Sequence, residues 1–589
     1  MEVGPKWRFR TVTYYVAVCV AVYFIISASP AASEKPRVSS DDLLQLVAVD
    51  DIRRSSVYGT YLAALAAERN WDLHQAATFM ARVLEENQND KDLMRSAFKL
   101  SLLAGRVGPS LVLAQNMESA GIKDPIANFL LVIQNIKDKN YGAARDMLAM
   151  PQDKGMEAFA APIVAAWTAF GLNDLDGALS SLAQLQDGDV FGALRRLQEG
   201  LINDLGGRPE AAESAYQSLI QDPADTPIRV ISAIGSFLER QGRVNEAKEI
   251  YDDYVSGHPG SNHFETALNR IEKGQTGQPI VATPAEGIAE GLFHLASAVP
   301  KDLGDELAML YAQLALAARP DLVLAKLLVG DLLEFRGRYS DANDVYRSIE
   351  PGSLYRWAAQ LRIADNLNEL DDLEGAVILL GKLAEERQDR VEPLITQGNF
   401  LRYNDRFSDA IRAYDKAFVR IDKIEKGHWN LFYNRGVALE RTQLWERAEA
   451  DFLKALELEP DQPFVLNYLG YSWVEQGRNI GRARKMIEKA VSQRRDDGYI
   501  VDSLGWVLYR VGEWKEAVRH LERAVLLRPQ DAVINDHFGD ALWRVNRRNE
   551  ARFQWKRALI FEQDEELIKE IEAKLKNGLG KPEVLGQDG

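Results

Sequence analysis

DGYIVDSLGWVLYRVGEWKEAVRHLERAVLLRPQ, residues 497–530, decides the fold. Val501, Leu504, Gly505 and Leu508 recur at helical spacing on one face. Ala517, Leu521 and Ala524 do the same further on, Gly512 supplies a tight turn between the two runs, and Pro529 ends the second. The stretch predicts two antiparallel amphipathic helices. Gly505, Ala517 and Ala524 are small where the helices face each other. They let the axes approach at the short end of the usual range of roughly 8–10 Å.

The unit repeats. Anchored on Ala517, a small residue recurs downstream at Ala551 and upstream at Ala483, Ala448, Ala410, Ala376, Ala342 and Ala308, at an almost constant interval. Farther back the series is Ala247, Ala212, Ala178, Ala144, Ser110 and Ala76. The pattern resembles the tetratricopeptide repeat, whose period is 34. The resemblance implies an all-α fold: a tetratricopeptide superhelix (α-solenoid) of about fourteen helix-turn-helix repeats. Gly235, Tyr251 and Pro259, or Gly436, Phe452 and Pro460, mark the better-kept repeats. The five repeats before Ala247 keep the period and lose most consensus glycines and prolines.

One interval breaks the period. The step from Ala247 to Ala308 is longer than one repeat and shorter than two, and Gly274, Gly277, Pro279 and Pro284 lie within it. The predicted organisation is a lead-in at 34–55, a degenerate array at 56–259, a linker or insertion at 260–285 and a well-formed array at 286–560. The alternative for the insertion is a degenerate repeat with one helix near Phe264–Ile271. A charged capping helix is expected at 561–576. A Gly-rich disordered tail is expected at 577–589.

Residues 1–33 have the order of an export signal. Lys6, Arg8 and Arg10 precede the apolar run Tyr14–Ile26, and small residues from Ser27 to Ser33 follow. The run is short for a membrane span, which takes about 20 residues. Cleavage near Ala31 or Ser33 would deliver the chain to the periplasm; an uncleaved signal would leave an inner-membrane anchor. The single cysteine, Cys19, follows Val18 inside the apolar run, and the run continues past it, which argues against a lipidation signal.

Composition excludes several functions. The formal charge is −16, against the basic excess expected of a nucleic-acid binder. Without residues 1–33 it is −18. One cysteine leaves no disulfide framework and no multi-cysteine metal site. His258 and His263, near Asp252 and Asp253, are most simply loop histidines; no metal and no cofactor is expected. After the repeats, signal and insertion are counted, too little chain remains for a separate catalytic domain. No Walker A loop, G-x-S-x-G or H-E-x-x-H is present. The chain is expected not to be an enzyme.

Stacked repeats form a concave wall. In tetratricopeptide proteins the first helix of each pair lines it, so its outward stripe is the candidate partner-binding surface. The stripe comprises Tyr499, Asp502, Trp506, Tyr509 and Arg510 in one repeat, and Asp536, Asp540, Trp543 and Arg544 in the next. Asn467 and Tyr471 precede them, and Asn399, Arg402 and Tyr403 lie further back. Aromatics beside arginine are common binding hot spots, and Asn or Asp could bond the backbone of an extended peptide. The alternative is that the rings pack between repeats and the Asp and Asn side chains bond within the array. Trp473 and Trp555 fall at core positions. Chaperone-type relatives clamp an acidic peptide terminus with lysine here; Asp502 and Asp536 argue against that.

The segment from Asn467 to Leu559 (NYLGYSWVEQG…DDGYIVDSLGWVLYR…INDHFGDALWRV…ARFQWKRAL) resembles the C-terminal part of exported tetratricopeptide proteins of Gram-negative bacteria. Some of these are adaptors that hold a C-terminal-processing protease and present cell-wall hydrolases to it. The resemblance implies a periplasmic scaffold for protein partners, with no lipobox to anchor it. The alternatives are a component of an envelope secretion or polysaccharide-export assembly, and a membrane-anchored cytoplasmic adaptor.

Overall fold

The computed structural model describes residues 56–586, apart from 149–156, 186–188, 221–225, 259–263, 300 and 563. The expected signal and lead-in therefore lie outside the described residues, as does His263. Among the described residues there are thirty α-helices, one 3-10 turn and no strands. No helix among them is long and apolar enough to cross a membrane. The helices fall into two compact units, residues 56–372 and 373–589.

The period has a physical cause. All fourteen residues of the alanine register lie in helices and are at most 1% exposed. Opposite them, first-helix glycines accept second-helix rings. A Cβ on Gly398 would lie 2.4 Å from Tyr414, one on Gly436 2.7 Å from Phe452, and one on Gly539 2.5 Å from Trp555. Each pair works as a ring set into a hole that any side chain would fill. Trp473 and Trp555 are buried, as their spacing predicts.

The turns repeat one device. Gly337, Gly477 and Gly512 each take positive φ, 84° at Gly512. Where glycine is missing, another residue bears the left-handed conformation, as at Asp405 (φ 58°), Gln443 (φ 62°) and Asn546 (φ 65°). Several first helices start on an aspartate cap: Asp497 accepts from the Tyr499 and Ile500 amides, and Asp531 from that of Ile534.

In the first unit the row of first helices is covered by the chain itself. Helices Lys91–Leu103, Pro125–Lys137, Glu157–Gly171 and Asp189–Leu205 are first helices of their hairpins, and the hairpin of Pro284–Ala298 and Lys301–Ala318 packs against them. Glycines let it sit close: a Cβ on Gly287 would lie 2.0 Å from Trp167, and one on Gly291 2.5 Å from Ile163. Glu290, wholly buried, takes two bonds from Arg229 at 2.5 and 2.6 Å. Lys137 donates to the Ala317 carbonyl at 2.7 Å. Within the segment expected as an insertion, a helix spans Glu265–Glu272. The Gly277 amide and Arg270 both bond Glu239.

The chain end departs from expectation. The tail beyond Asn577 was expected to be disordered. Residues 578–586 instead run against the ends of the last first helices, because their backbone finds partners there: Arg544 donates to the Gly580 carbonyl at 2.6 Å and the Leu585 amide to the Arg510 carbonyl at 2.9 Å.

Candidate functional site

The candidate residues divide into two stretches of the second unit. In the earlier one, Asn399, Arg402 and Tyr403 lie on helix Glu392–Tyr403, and Asn467 and Tyr471 on helix Pro463–Glu475. Asn399 is committed inside the array: its Oδ1 accepts from the Tyr414 hydroxyl at 2.8 Å and from Asn434 Nδ2 at 3.1 Å. The Arg402 guanidinium lies 4.2 Å from the Tyr403 ring centroid. Burial would lower its pKa, but interactions with Tyr414 and Tyr403 hold it above the ordinary value. Burial raises the Tyr471 phenol. Three buried polar atoms here have no bonding partner in the protein: Arg402 Nε, Asn434 Oδ1 and Asn467 Oδ1. One is a donor and two are acceptors, complementary to peptide carbonyls and amides.

In the later stretch the side chains hold one another. The Asp502 carboxylate lies 3.0 Å from His537 Nδ1, and both are buried. Trp506 stacks on His537 (centroids 4.0 Å apart, planes at 15°) and on Tyr509 (4.9 Å, 12°). Its indole N–H donates to Glu475 at 2.6 Å, which also accepts from Arg510. Asp536 and Asp540 share the Lys574 ammonium, at 2.6 and 3.0 Å. Asp540 also accepts from the Trp555 indole at 2.9 Å. Trp543 packs against Trp555. Arg544 donates to the Tyr509 hydroxyl at 3.3 Å. Tyr499 lies under the Arg528 guanidinium, 5.1 Å away.

Of the two readings of the stripe from Asp502 to Arg544, the one in which the side chains bond within the array describes its carboxylates in this structure. Asp502, Asp536 and Asp540 are buried, and the last two bond to the chain's own end. A carboxylate at this register is equally able to point at a ligand or at the next helix, and here the next helix wins. Sequence reasoning missed His537, Lys574, Glu475 and Asn434. Lys574 was within reach, because it follows Asp540 by one full period, so extending the register once more would have found it.

Burial alone would lower the His537 pKa; Asp502, Asp536 and Asp540 outweigh it and hold it above 6.5. Burial and the Asp536 charge raise Asp540, against the opposing pull of Lys574. Among the described residues no group of His, Cys, Asp and Glu is placed to hold a metal ion.

In the first unit a largely apolar cleft of about 430 Å³ lies between Leu73, Leu103 and Val107 on one side and Met309, Leu316 and Leu333 on the other. Its two lysines are spent on backbone carbonyls, Lys137 on Ala317 and Lys326 on Ser348.

Stacked antiparallel hairpins of one period define a helical-repeat solenoid. Within that class, models of the tetratricopeptide repeat match residues 395–463 and 501–533, which identifies those two segments as tetratricopeptide repeats. The chain is 30% identical over 194 residues to the TPR repeat-containing protein PA4667 of Pseudomonas aeruginosa, covering 33% of this chain and 32% of that one. The match thus spans about a third of that relative's length. Among solved structures it is similar to the APC/C hetero-tetramer Cut9–Hcn1 (14% identity, 91% of this chain and 98% of that one, TM-score 0.37). It is also similar to YrrB, described as a TPR protein with an unusual peptide-binding site (20% identity, 33% and 97%, TM-score 0.26). Solenoids of this repeat are in general protein-binding scaffolds without catalytic activity.

Proposed function

We propose that the chain is a non-catalytic adaptor of the bacterial periplasm that holds polypeptide partners on the inner wall of its second unit. The observation that carries this is the set of unpartnered atoms at Arg402, Asn434 and Asn467. A buried polar group without a partner costs about 1–3 kcal/mol. These atoms have almost no accessible surface, so an extended peptide supplies the missing partners once the side chains turn outward to meet it, with amides for the two asparagines and a carbonyl for the arginine. The neighbouring rings Tyr403 and Tyr471 are half-buried and offer apolar contact beside them. The first unit contributes less wall, since its own hairpin lies there.

The finer form of this reading is an adaptor that presents cell-wall hydrolases to a C-terminal-processing protease. The resemblance of residues 467–559 to exported adaptors supports it. Export is tested by N-terminal sequencing of the mature protein, with a first residue near Ala32 or Glu34 expected.

Partner binding is tested by a photo-crosslinking residue at Asn467 or Tyr471 in living cells, with Arg412, an exposed second-helix site, as control. A discrete protein caught at the first two positions and not at the third supports the reading. Equal labelling at all three sinks it. A pull-down from periplasmic extract that repeatedly lacks any such protease or hydrolase sinks the finer form.

A further inference from the structure

The last three repeats are contacted by the end of their own chain. The helix Glu565–Asn577 buries a single residue, Ile571. It delivers Lys574 between Asp536 and Asp540. The following residues leave the helix at Gly578 (φ 71°), which packs on the Trp543 ring. They then run back across the repeats. Gly580 bonds Arg544, Leu585 bonds Arg510, and the Leu585 side chain reaches the turn at Gly477. A structural cap needs only the helix. The extended segment continues over three successive repeats, in the manner of a bound peptide.

The fit is incomplete. Two buried carboxylates face one ammonium, and Asp536 Oδ1 has no bonding partner. The tail thus leaves an acidic site short of one donor.

We infer that residues 565–586 are a tethered ligand, and that the wall of Asp536, Asp540, Trp543 and Arg544 is a docking surface for a basic amphipathic helix that displaces them. The preferred occupant presents an arginine, or two lysines, where the chain presents Lys574. A guanidinium has five donors in a planar fork and can bond both carboxylates at once. This rests on the reading of the second unit as the partner-binding unit and names the chemistry of that partner. Its test uses the chain's own segment as probe, so it can fail while capture at Asn467 succeeds, and the reverse.

The full chain is made with a specific protease site after Glu562 and cut once folded. Fluorescent peptides of residues 564–586 are then titrated in. The uncut chain is expected to bind none. The cut chain is expected to bind the native peptide saturably, a Lys574→Arg peptide at least as tightly, and a Lys574→Glu peptide at least tenfold more weakly. Equal binding of the Lys574→Glu peptide, or none by any peptide, overturns the inference. In the uncut chain, Lys574→Ala is followed by hydrogen exchange. At least tenfold faster exchange confined to 565–586 supports a releasable ligand. An equal rise across 532–561 makes the segment a structural cap and also overturns it.

Discussion

His537 and Asp502 sit on the first helices of neighbouring repeats, with imidazole and carboxylate 3.0 Å apart. Asp536 and Asp540 share the imidazole's own helix, Lys574 faces them from the terminal helix, and the Trp506 ring covers the imidazole. The pair joins two repeats through an imidazole whose pKa the surrounding carboxylates raise against the opposing effect of burial.

A pH dependence follows. The folded-state pKa of His537 is raised, so its stabilisation is fully present below the unfolded value near 6.5 and is lost as pH climbs through the folded value. Asp540, also raised, acts in the same direction, because its folded form retains a proton above the normal carboxylate pKa. The melting temperature of the second unit should be higher at pH 6 than at pH 8. His537→Gln should flatten that slope. A melting point that rises toward alkaline pH would contradict both.

The hairpin at 284–318 is held partly by charge. Glu290 is buried, and Arg229 pulls its pKa below the ordinary value although burial pushes it up. Arg229→Met removes both hydrogen bonds that hold that carboxylate, leaving only His294 at 3.9 Å beside it, and should cost about 3–5 kcal/mol. Adding Glu290→Leu should return most of the loss. Denaturant midpoints of the single and double variants check this.

Gln443 holds a left-handed turn without glycine's freedom. Gln443→Gly should stabilise the chain by a few tenths to about 1 kcal/mol, since the relief of strain outweighs the added disorder of the unfolded chain. Thermal melts against the parent chain measure it.

Ala517 is fully buried between paired helices. Ala517→Leu should overpack them and cost about 1–3 kcal/mol. A lowered denaturant midpoint for the second unit, with the transition of the first unit unmoved, is the expected signature.

The hairpins were legible because packing permits only small residues at the alanine register, and that constraint returns once in every repeat. The role of 284–318 was not legible. Its pattern is that of any other hairpin, and only the Gly287–Gly291 pair and the buried Glu290 mark a second packed face. The same applies to the wall. Asp502, Asp536 and Asp540 occupy positions that line grooves in this family, and their residue type does not reveal whether the partner is a foreign peptide or the next helix. Asn399 and Asn467 show both outcomes, the first bonded to Tyr414 and the second with its oxygen unpaired.

The hairpin at 284–318 also changes how the first unit must assemble. Ordinary repeats touch their neighbours only, so such arrays can fray from one end inward. Lys137 and Ala317 are 180 positions apart in the chain, and Gln313 bonds the Leu103 carbonyl across 210. Contacts of that span raise the contact order, slow folding and bind distant segments into one cooperative transition. The first unit should therefore unfold all at once, whereas the second can peel away a hairpin at a time.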